Sequence, residues 1–424
     1  MNKKKRKRKT ERSLPQSSKN LSKIMNEYYR GNHLMAKQGK PVVWIAIVVP
    51  IELLKGFDLV VAVPENHSAM CAAKKVGVKQ AEAAEAEGFS MDLCSYARID
   101  LGTSFKQGEG SPSNGLPKPD LLISNNNNCS LLVKWFDIYR KRYGIPHFNM
   151  DVPFCYKPQQ KKDLEYIIAQ YHDLITLIED LTGQTFQIDE VKRAIQYTNE
   201  AISHWKRFLS FASHHPSGIT AFDTFLHMGP YLTWHRGTSE MANHFKLLAD
   251  ETEKQIQNDI YPVPNEKYRL LWDNIAPWHQ LRPMSTRLAE LNANIVYATY
   301  TSCLGTIEGK VDKYELNSEN PYESLARVQN ATVCPYGLKL RFEAMSEMIN
   351  RFDIHGVVFT SNFSCKVYSI MQYDLMQQIK EAFPDISCVM INVDHADVRK
   401  YNEDKVFLKI EALLEAIDKK RKSF

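Results

Sequence analysis

Hydrophobic and polar positions change period several times along the chain. Pro41–Pro50 (PVVWIAIVVP) is a continuous apolar run, the pattern of a strand buried on both faces of a parallel sheet. Shorter runs at Asp58–Val63, Asp120–Ser124, Pro146–Asn149, Asn294–Thr299, Ile354–Thr360 and Ser387–Val393 predict further strands. Helical patterns lie between or beside them at Asn26–Gly39, Ile51–Gly56, Ala69–Lys75, Lys79–Glu87, Leu131–Tyr143 and Val406–Lys422. Residues 160–260 are mostly helical, with breaks at Thr182-Gly183 and His215-Pro216, and the α/β pattern resumes around Tyr268. The expectation is an α/β protein with two doubly wound, Rossmann-like parallel-sheet lobes, residues 21–160 and 266–424. A helical layer, 161–265, joins them, and residues 1–20 form a disordered basic tail. No short internal repeat is visible.

Composition adjusts this picture in two places. Of 424 residues, 44% are hydrophobic and 24% charged, which excludes general disorder. The net charge of +5 suggests a nucleic-acid or acidic-partner binder, but nine Lys/Arg and one Glu in residues 1–20 give that tail +8. The other 404 residues therefore carry −3, and no nucleic-acid-binding motif is present in them. The basic start is followed by no apolar signal region, and no run of about 18 apolar residues occurs. A cytoplasmic protein with reduced thiols and no membrane span is expected.

Eight cysteines, at 71, 94, 129, 155, 303, 334, 365 and 388, are scattered with no CxxC among them, unlike a zinc ribbon or a local ferredoxin-type run. In an open parallel sheet, ligands sit beyond the carboxyl ends of the strands. Cys129 follows a strand and four asparagines, Cys365 follows the strand 354–360, and Cys94 precedes a helix at Ser95–Ile99. All three are expected in loops leading into helix N-termini, where free backbone N–H groups favour the thiolate. Such a trio could hold an iron–sulfur cluster with one iron left open, although position alone leaves open three unrelated structural cysteines. Cys155 could also reach the cleft, Cys71 and Cys388 suit the core, and Cys303 and Cys334 lie in loop-like segments. Glu65, after an apolar strand, is a candidate acid or base if buried, and His67 and His395 lie in similar strand-end loops. Asp394, Asp397 and Arg399 could form a local ion pair. No GxGxxG, GxxxxGK[ST], GxSxG or HExxH occurs, so no phosphate loop of its own is expected.

Taken together, several motifs resemble a known family. They are Gly39–Trp44, Pro50–Leu53, Pro64-Glu-Asn-His67, Gly88–Arg98, Asn126-Asn-Asn-Cys129 with Lys134-Trp135, Trp272–Trp278, Asn362-Phe-Ser-Cys-Lys366 and Asp394–Arg399. In order and spacing they are similar to the 2-hydroxyacyl-CoA dehydratase / benzoyl-CoA reductase family, and to its larger, alpha-type dehydratase subunit in particular, over roughly residues 21–420. The resemblance implies a [4Fe–4S] cluster held by Cys94, Cys129 and Cys365 between two lobes. It implies a heterodimer with a related beta-type subunit and a separate ATP-dependent iron–sulfur activator that delivers one electron. The implied reaction is that of a hydro-lyase. A 2-hydroxyacyl-CoA substrate forms a ketyl radical, loses its hydroxyl and a C3 proton, and gives a 2-enoyl-CoA. Reduction of an aryl- or enoyl-CoA, as in benzoyl-CoA reductases, is the alternative. Glu65 matches the family's Pro-Glu position, with His67 beside it. Arg236-Gly237 and Lys366 are candidate CoA contacts. Two departures point to a more apolar site: Ile47 stands where a Ser is frequent, and Phe363 where an Arg is common.

Overall fold

The structure is a computed structural model that describes residues 14–331 and 337–422. In these residues eight strands form two four-stranded sheets. The first lobe holds β1 (Val42–Ile45), β2 (Val60–Ala62), β3 (Leu121–Asn125) and β4 (His147–Met150). The second holds β5 (Tyr268–Asp273), β6 (Ala293–Ala298), β7 (Gly356–Asn362) and β8 (Ser387–Val393). Every pairing is parallel, in the orders β2-β1-β3-β4 and β6-β5-β7-β8. The two lobes are thus wound alike, a repeat in topology that leaves no short repeat in the sequence. In each sheet the winding direction reverses between two inner strands, β1 and β3 or β5 and β7, and that switch point opens a crevice at the carboxyl edge.

Several boundaries differ from the sequence expectation, each for a local reason. The apolar run from Pro41 is strand only as far as Ile45. Ala46 still donates to the Ile123 carbonyl at 2.9 Å, but Val49 donates back to the Ala46 carbonyl at 3.0 Å, which turns the chain. Ile47 is thereby set on the carboxyl edge of the sheet rather than inside it. The helix after β2 starts at Pro64, not Ala69, because proline suits a first helical position. Glu65 and His67 therefore sit on that helix's first turns rather than in a loop. The helix Gln16–Lys37 begins inside the expected tail. Its first two backbone N–H groups, Gln16 and Ser17, each donate to the Glu251 carboxylate at 2.8 Å. Residues 1–13, which carry most of the basic tail, lie outside the described residues, as does Cys334.

The helical layer bridges the lobes. In helix Ile188–Ser210, Thr198 donates to Glu52 of the first lobe at 2.9 Å and the Trp205 indole donates to the Thr301 carbonyl of the second at 3.1 Å. A four-charge cluster also ties the lobes directly. Fully buried Arg98 reaches Glu85 at 2.5 Å and Asp397 at 3.0 Å, and Arg399 reaches the same two acids at 2.6 and 2.7 Å. No helix of the described residues is long and apolar enough to cross a membrane.

Candidate functional site

The carboxyl edges of the two sheets face a shared cavity of about 680 Å³. Most of its lining comes from strand ends. Ile47 follows β1, Asn128 and Cys129 follow β3, Ile275 follows β5, Tyr300 follows β6, Cys365, Val367 and Tyr368 follow β7, and His395 follows β8. Cys94 and Tyr96 enter from the start of helix Ser95–Phe105, and Glu65 from helix Pro64–Ala73. Leu131, Leu132 and Trp135 of helix Ser130–Tyr143 complete the wall. Cys94, Cys129, Cys365 and Glu65 are therefore together, drawn from both lobes.

Cys94 and Cys129 stand immediately before helices, at Ser95 and Ser130, as their positions predict. Cys365 does not. After β7 the chain turns, with Cys365 N–H on the Asn362 carbonyl at 3.2 Å, and the next helix starts only at Gln372. Burial pushes the Cys94 thiol well above its ordinary value. The nearby Cys365 and Cys129 sulfurs push the same way, while the Ala97 and Tyr96 backbone N–H groups pull against them.

His395 is only a strand-end residue in the sequence, and its contact with a cysteine 301 positions away has no sequence signal. Its Nδ1–H donates to Asn362 Oδ1 at 2.9 Å, which leaves Nε2 facing Ser95 Oγ at 3.0 Å and Cys94 Sγ at 3.6 Å. Burial lowers its pKa to about 4 despite neighbouring Asp394, so the ring is neutral near pH 7. Asp394 is itself tied down by Ser364 Oγ at 2.6 Å and by the backbone N–H groups of Ala396 and Asp397 at 3.0 and 2.9 Å. Asp397 and Arg399 form more than a local pair, since they reach across to Glu85 and Arg98 of the other lobe.

Glu65 is buried, and its Oε2 accepts the Ile47 backbone N–H at 2.7 Å. Burial raises its pKa from 4.5 to about 8; the Ile47 hydrogen bond opposes the rise and Asp100 adds to it. Near neutrality Glu65 is a carboxylic acid. Asp100, one layer further out, accepts the Trp135 indole N–H at 3.0 Å and the Tyr139 hydroxyl at 2.5 Å, and so fixes the Trp135 ring against the cavity. His67 is not part of the lining. It is fully buried beside Ser111 Oγ at 2.8 Å and Cys71 Sγ at 3.7 Å.

Other candidates also lie elsewhere. Cys155 packs with Ile307 and Leu340 rather than in the cleft. Cys71 is in the core and Cys388 in β8, while Cys303 lines adjoining cavities. Arg236 is buried against Glu52 at 3.2 Å, and Lys366 is exposed. Of the two departures, Ile47 lines the cavity, but Phe363 is 56% exposed and faces a surface groove with Arg399 and Lys405. Only Ile47 makes the cleft itself more apolar.

Among the described residues no group of three or more His, Cys, Asp or Glu converges tightly enough to hold a single metal ion. A cubane cluster does not need that convergence, because each thiolate binds a different iron. Three separated cysteines around one mostly apolar cavity fit such a group, with one corner left open.

Two similarly wound α/β lobes with a cysteine-lined cleft between their carboxyl edges define a two-lobed α/β protein. Residues 46–417 match the family described as 2-hydroxyglutaryl-CoA dehydratase, D-component, and the chain belongs to that family. It is 31% identical to the (R)-phenyllactyl-CoA dehydratase alpha subunit of Clostridium sporogenes, over 91% of this chain and 92% of that one. It is 27% identical to the (R)-2-hydroxyisocaproyl-CoA dehydratase alpha subunit of Clostridioides difficile, over 95% and 96%. It is also 24% identical to a benzoyl-CoA reductase subunit of Thauera aromatica, over 87% of each chain.

Proposed function

We propose that the chain is the alpha-type, cluster-binding subunit of a 2-hydroxyacyl-CoA dehydratase, in which Cys94, Cys129 and Cys365 hold a [4Fe–4S] cluster. The observation that carries this reading is the meeting of these three cysteines and Glu65 in one cavity between the lobes. When bound, the cluster supplies one-electron chemistry and an open iron able to polarise a substrate oxygen.

The chain's own residues account for the rest. The apolar and aromatic walls exclude water and so strengthen every polar contact inside. Glu65 holds its proton at Oε1, since Oε2 is occupied by the Ile47 N–H, and passes it to the departing 2-hydroxyl, which leaves as water. His395, oriented by Asn362, keeps Cys94 in place. The C3 proton restores the Glu65 acid, and return of the electron makes the overall dehydration through a ketyl-type radical redox-neutral, giving a 2-enoyl-CoA. The partners in this reading are a related second subunit and an ATP-dependent iron–sulfur activator. The relatives are each named as one subunit of an enzyme, which supports the need for a second. Two dehydratase alpha subunits at 31% and 27% identity, against 24% for the reductase relative, favour dehydration over aryl-CoA reduction.

The test is anaerobic purification with the partner subunit, iron determination, and assay after one-electron activation with a (R)-2-hydroxyacyl-CoA and with benzoyl-CoA. About four irons per chain, a count set by the cluster type, and enoyl-CoA formation are expected. A colourless, iron-free complex would overturn the reading. Reduction of benzoyl-CoA without dehydration would move it to the alternative.

A further inference from the structure

Among the described residues, three of the cavities at the cleft share Ile47 and Tyr300 as walls. A fourth meets the cysteine-lined one at Tyr300 and Tyr368, and its cation, Arg341, is paired with Asp273 at 3.1 Å. Of the first three, an outer one of about 1000 Å³ opens between helices Gln16–Lys37, Pro64–Ala73 and Ala221–His227. The cysteine-lined cavity adjoins it, and an inner one of about 580 Å³ against Glu52, Tyr231, Arg236 and Tyr314 borders both of them at Ile47 and Tyr300. Ile47 and Tyr300 line all three. Glu65 and Tyr96 line the outer and the middle ones. A thioester entering from the open side would pass Glu65 with its acyl end pointing inward, toward the partition made by Ile47 and Tyr300.

The lining decides what that acyl end can be. Among the described residues no Lys or Arg lines the middle cavity, whose walls away from the cysteines are Leu131, Leu132, Trp135, Ile275 and Val367. In the inner cavity the cation is Arg236, already paired with Glu52 at 3.2 Å and donating to the Val49 carbonyl at 2.6 Å. An acyl group ending in a carboxylate would be buried against walls whose one described cation is already committed, which is strongly unfavourable. A branched aliphatic or aromatic end would gain about fourfold in affinity per methylene removed from water.

We propose that this site takes a 2-hydroxyacyl-CoA whose acyl side chain is uncharged and apolar or aromatic, and that Ile47, with Tyr300, is the partition that limits its length. The proposal rests on the dehydratase reading above and names the substrate class of the same site.

The test is calorimetric binding to the anaerobically purified heterodimer, with thioesters that lack the 2-hydroxyl and so do not turn over. 3-Phenylpropanoyl-CoA and 4-methylpentanoyl-CoA are expected to bind at least about thirtyfold more tightly than glutaryl-CoA. Octanoyl-CoA is expected to bind wild type no more tightly than 4-methylpentanoyl-CoA, and Ile47→Ala, which joins the middle and inner cavities, to improve octanoyl-CoA binding by about tenfold. Glutaryl-CoA binding as tightly as the apolar thioesters would overturn the substrate class while leaving the dehydratase reading intact. No thioester binding better than free CoA would overturn the dehydratase reading itself. An Ile47→Ala protein that melts like wild type but keeps the wild-type length limit would overturn the partition, and the wild-type ranking decides the class even if that variant fails to fold.

Discussion

Replacing Glu65 by Gln tests whether the site holds a neutral acid. The side chain is buried, and its carboxyl is raised from 4.5 to about 8, first by burial. In an unfolded chain Glu65 ionises near its ordinary value. Between pH 4.5 and about 8 the folded state therefore binds more protons than the unfolded state. Stability contributed by this group is fully present below pH 4.5 and is lost as pH rises through about 8. At ~1.4 kcal/mol per pH unit, keeping the ionised form buried costs on the order of 5 kcal/mol. Gln has nearly the same shape, keeps an oxygen to accept the Ile47 N–H and never ionises. Glu65→Gln should therefore match wild type within about 1 kcal/mol at pH 5 and exceed it by roughly 3–5 kcal/mol at pH 9. Denaturant unfolding of both full-length chains at half-unit pH steps, in the same state of cluster loading, measures the difference. The same variant should lose most of its dehydration activity, because Gln has no proton to give a leaving hydroxyl. A stability difference that stays constant from pH 5 to 9 would refute the argument, since it would mean that Glu65 ionises as easily folded as unfolded.

Cys94→Ala, Cys129→Ala and Cys365→Ala should each lower the iron content of the anaerobic complex, whereas Cys388→Ala, in β8 and off the cavity, should not; equal iron in all four would sink the ligand assignment. Gly102→Ala should destabilise by about 2 kcal/mol or more, because the new Cβ would lie 1.7 Å from the Gln80 carbonyl oxygen where helices Gly77–Ala86 and Ser95–Phe105 touch. A thermal melt unchanged from wild type would contradict that packing. Arg98→Ala should cost roughly 3–5 kcal/mol, since it leaves buried Asp397 with one partner fewer, and unfolding at high salt should show nearly the same loss. A loss that salt removes would mean the cluster is solvated rather than buried.

What is legible in the sequence is local. Cys94 and Cys129 announce themselves because a cap position before a helix depends only on neighbouring residues, and the period of the apolar runs gives most of the strands. For Cys365 the pattern points to the right loop but the wrong successor, since the turn after β7 is held by its own backbone bonds and the helix waits until Gln372. The strand β5 has no clean boundary in the sequence for a different reason. All six of its residues are buried, yet Arg269 and Asp273 interrupt the apolar pattern, and Arg269 is buried only because carbonyls of Ala212, His214 and Phe352, with Glu266, surround it. None of those partners is visible from a local window.

The same distinction explains the site. A cleft between two domains is made of short segments that the sequence can recognise singly, but its shape depends on how one lobe is set against the other. That setting is carried by contacts hundreds of positions apart: Arg399 on Glu85, Asp397 on Arg98, His395 on Cys94. Moving the second lobe by a few ångström would separate Cys365 from Cys94 and Cys129 without altering any local pattern. The four-charge cluster, buried at Arg98 and Asp397, is therefore as much a part of the thiol site as the cysteines. Arg98, four residues beyond Cys94 on the helix that Cys94 precedes, and Asp397, two beyond His395, link that geometry directly to the residues around the cavity.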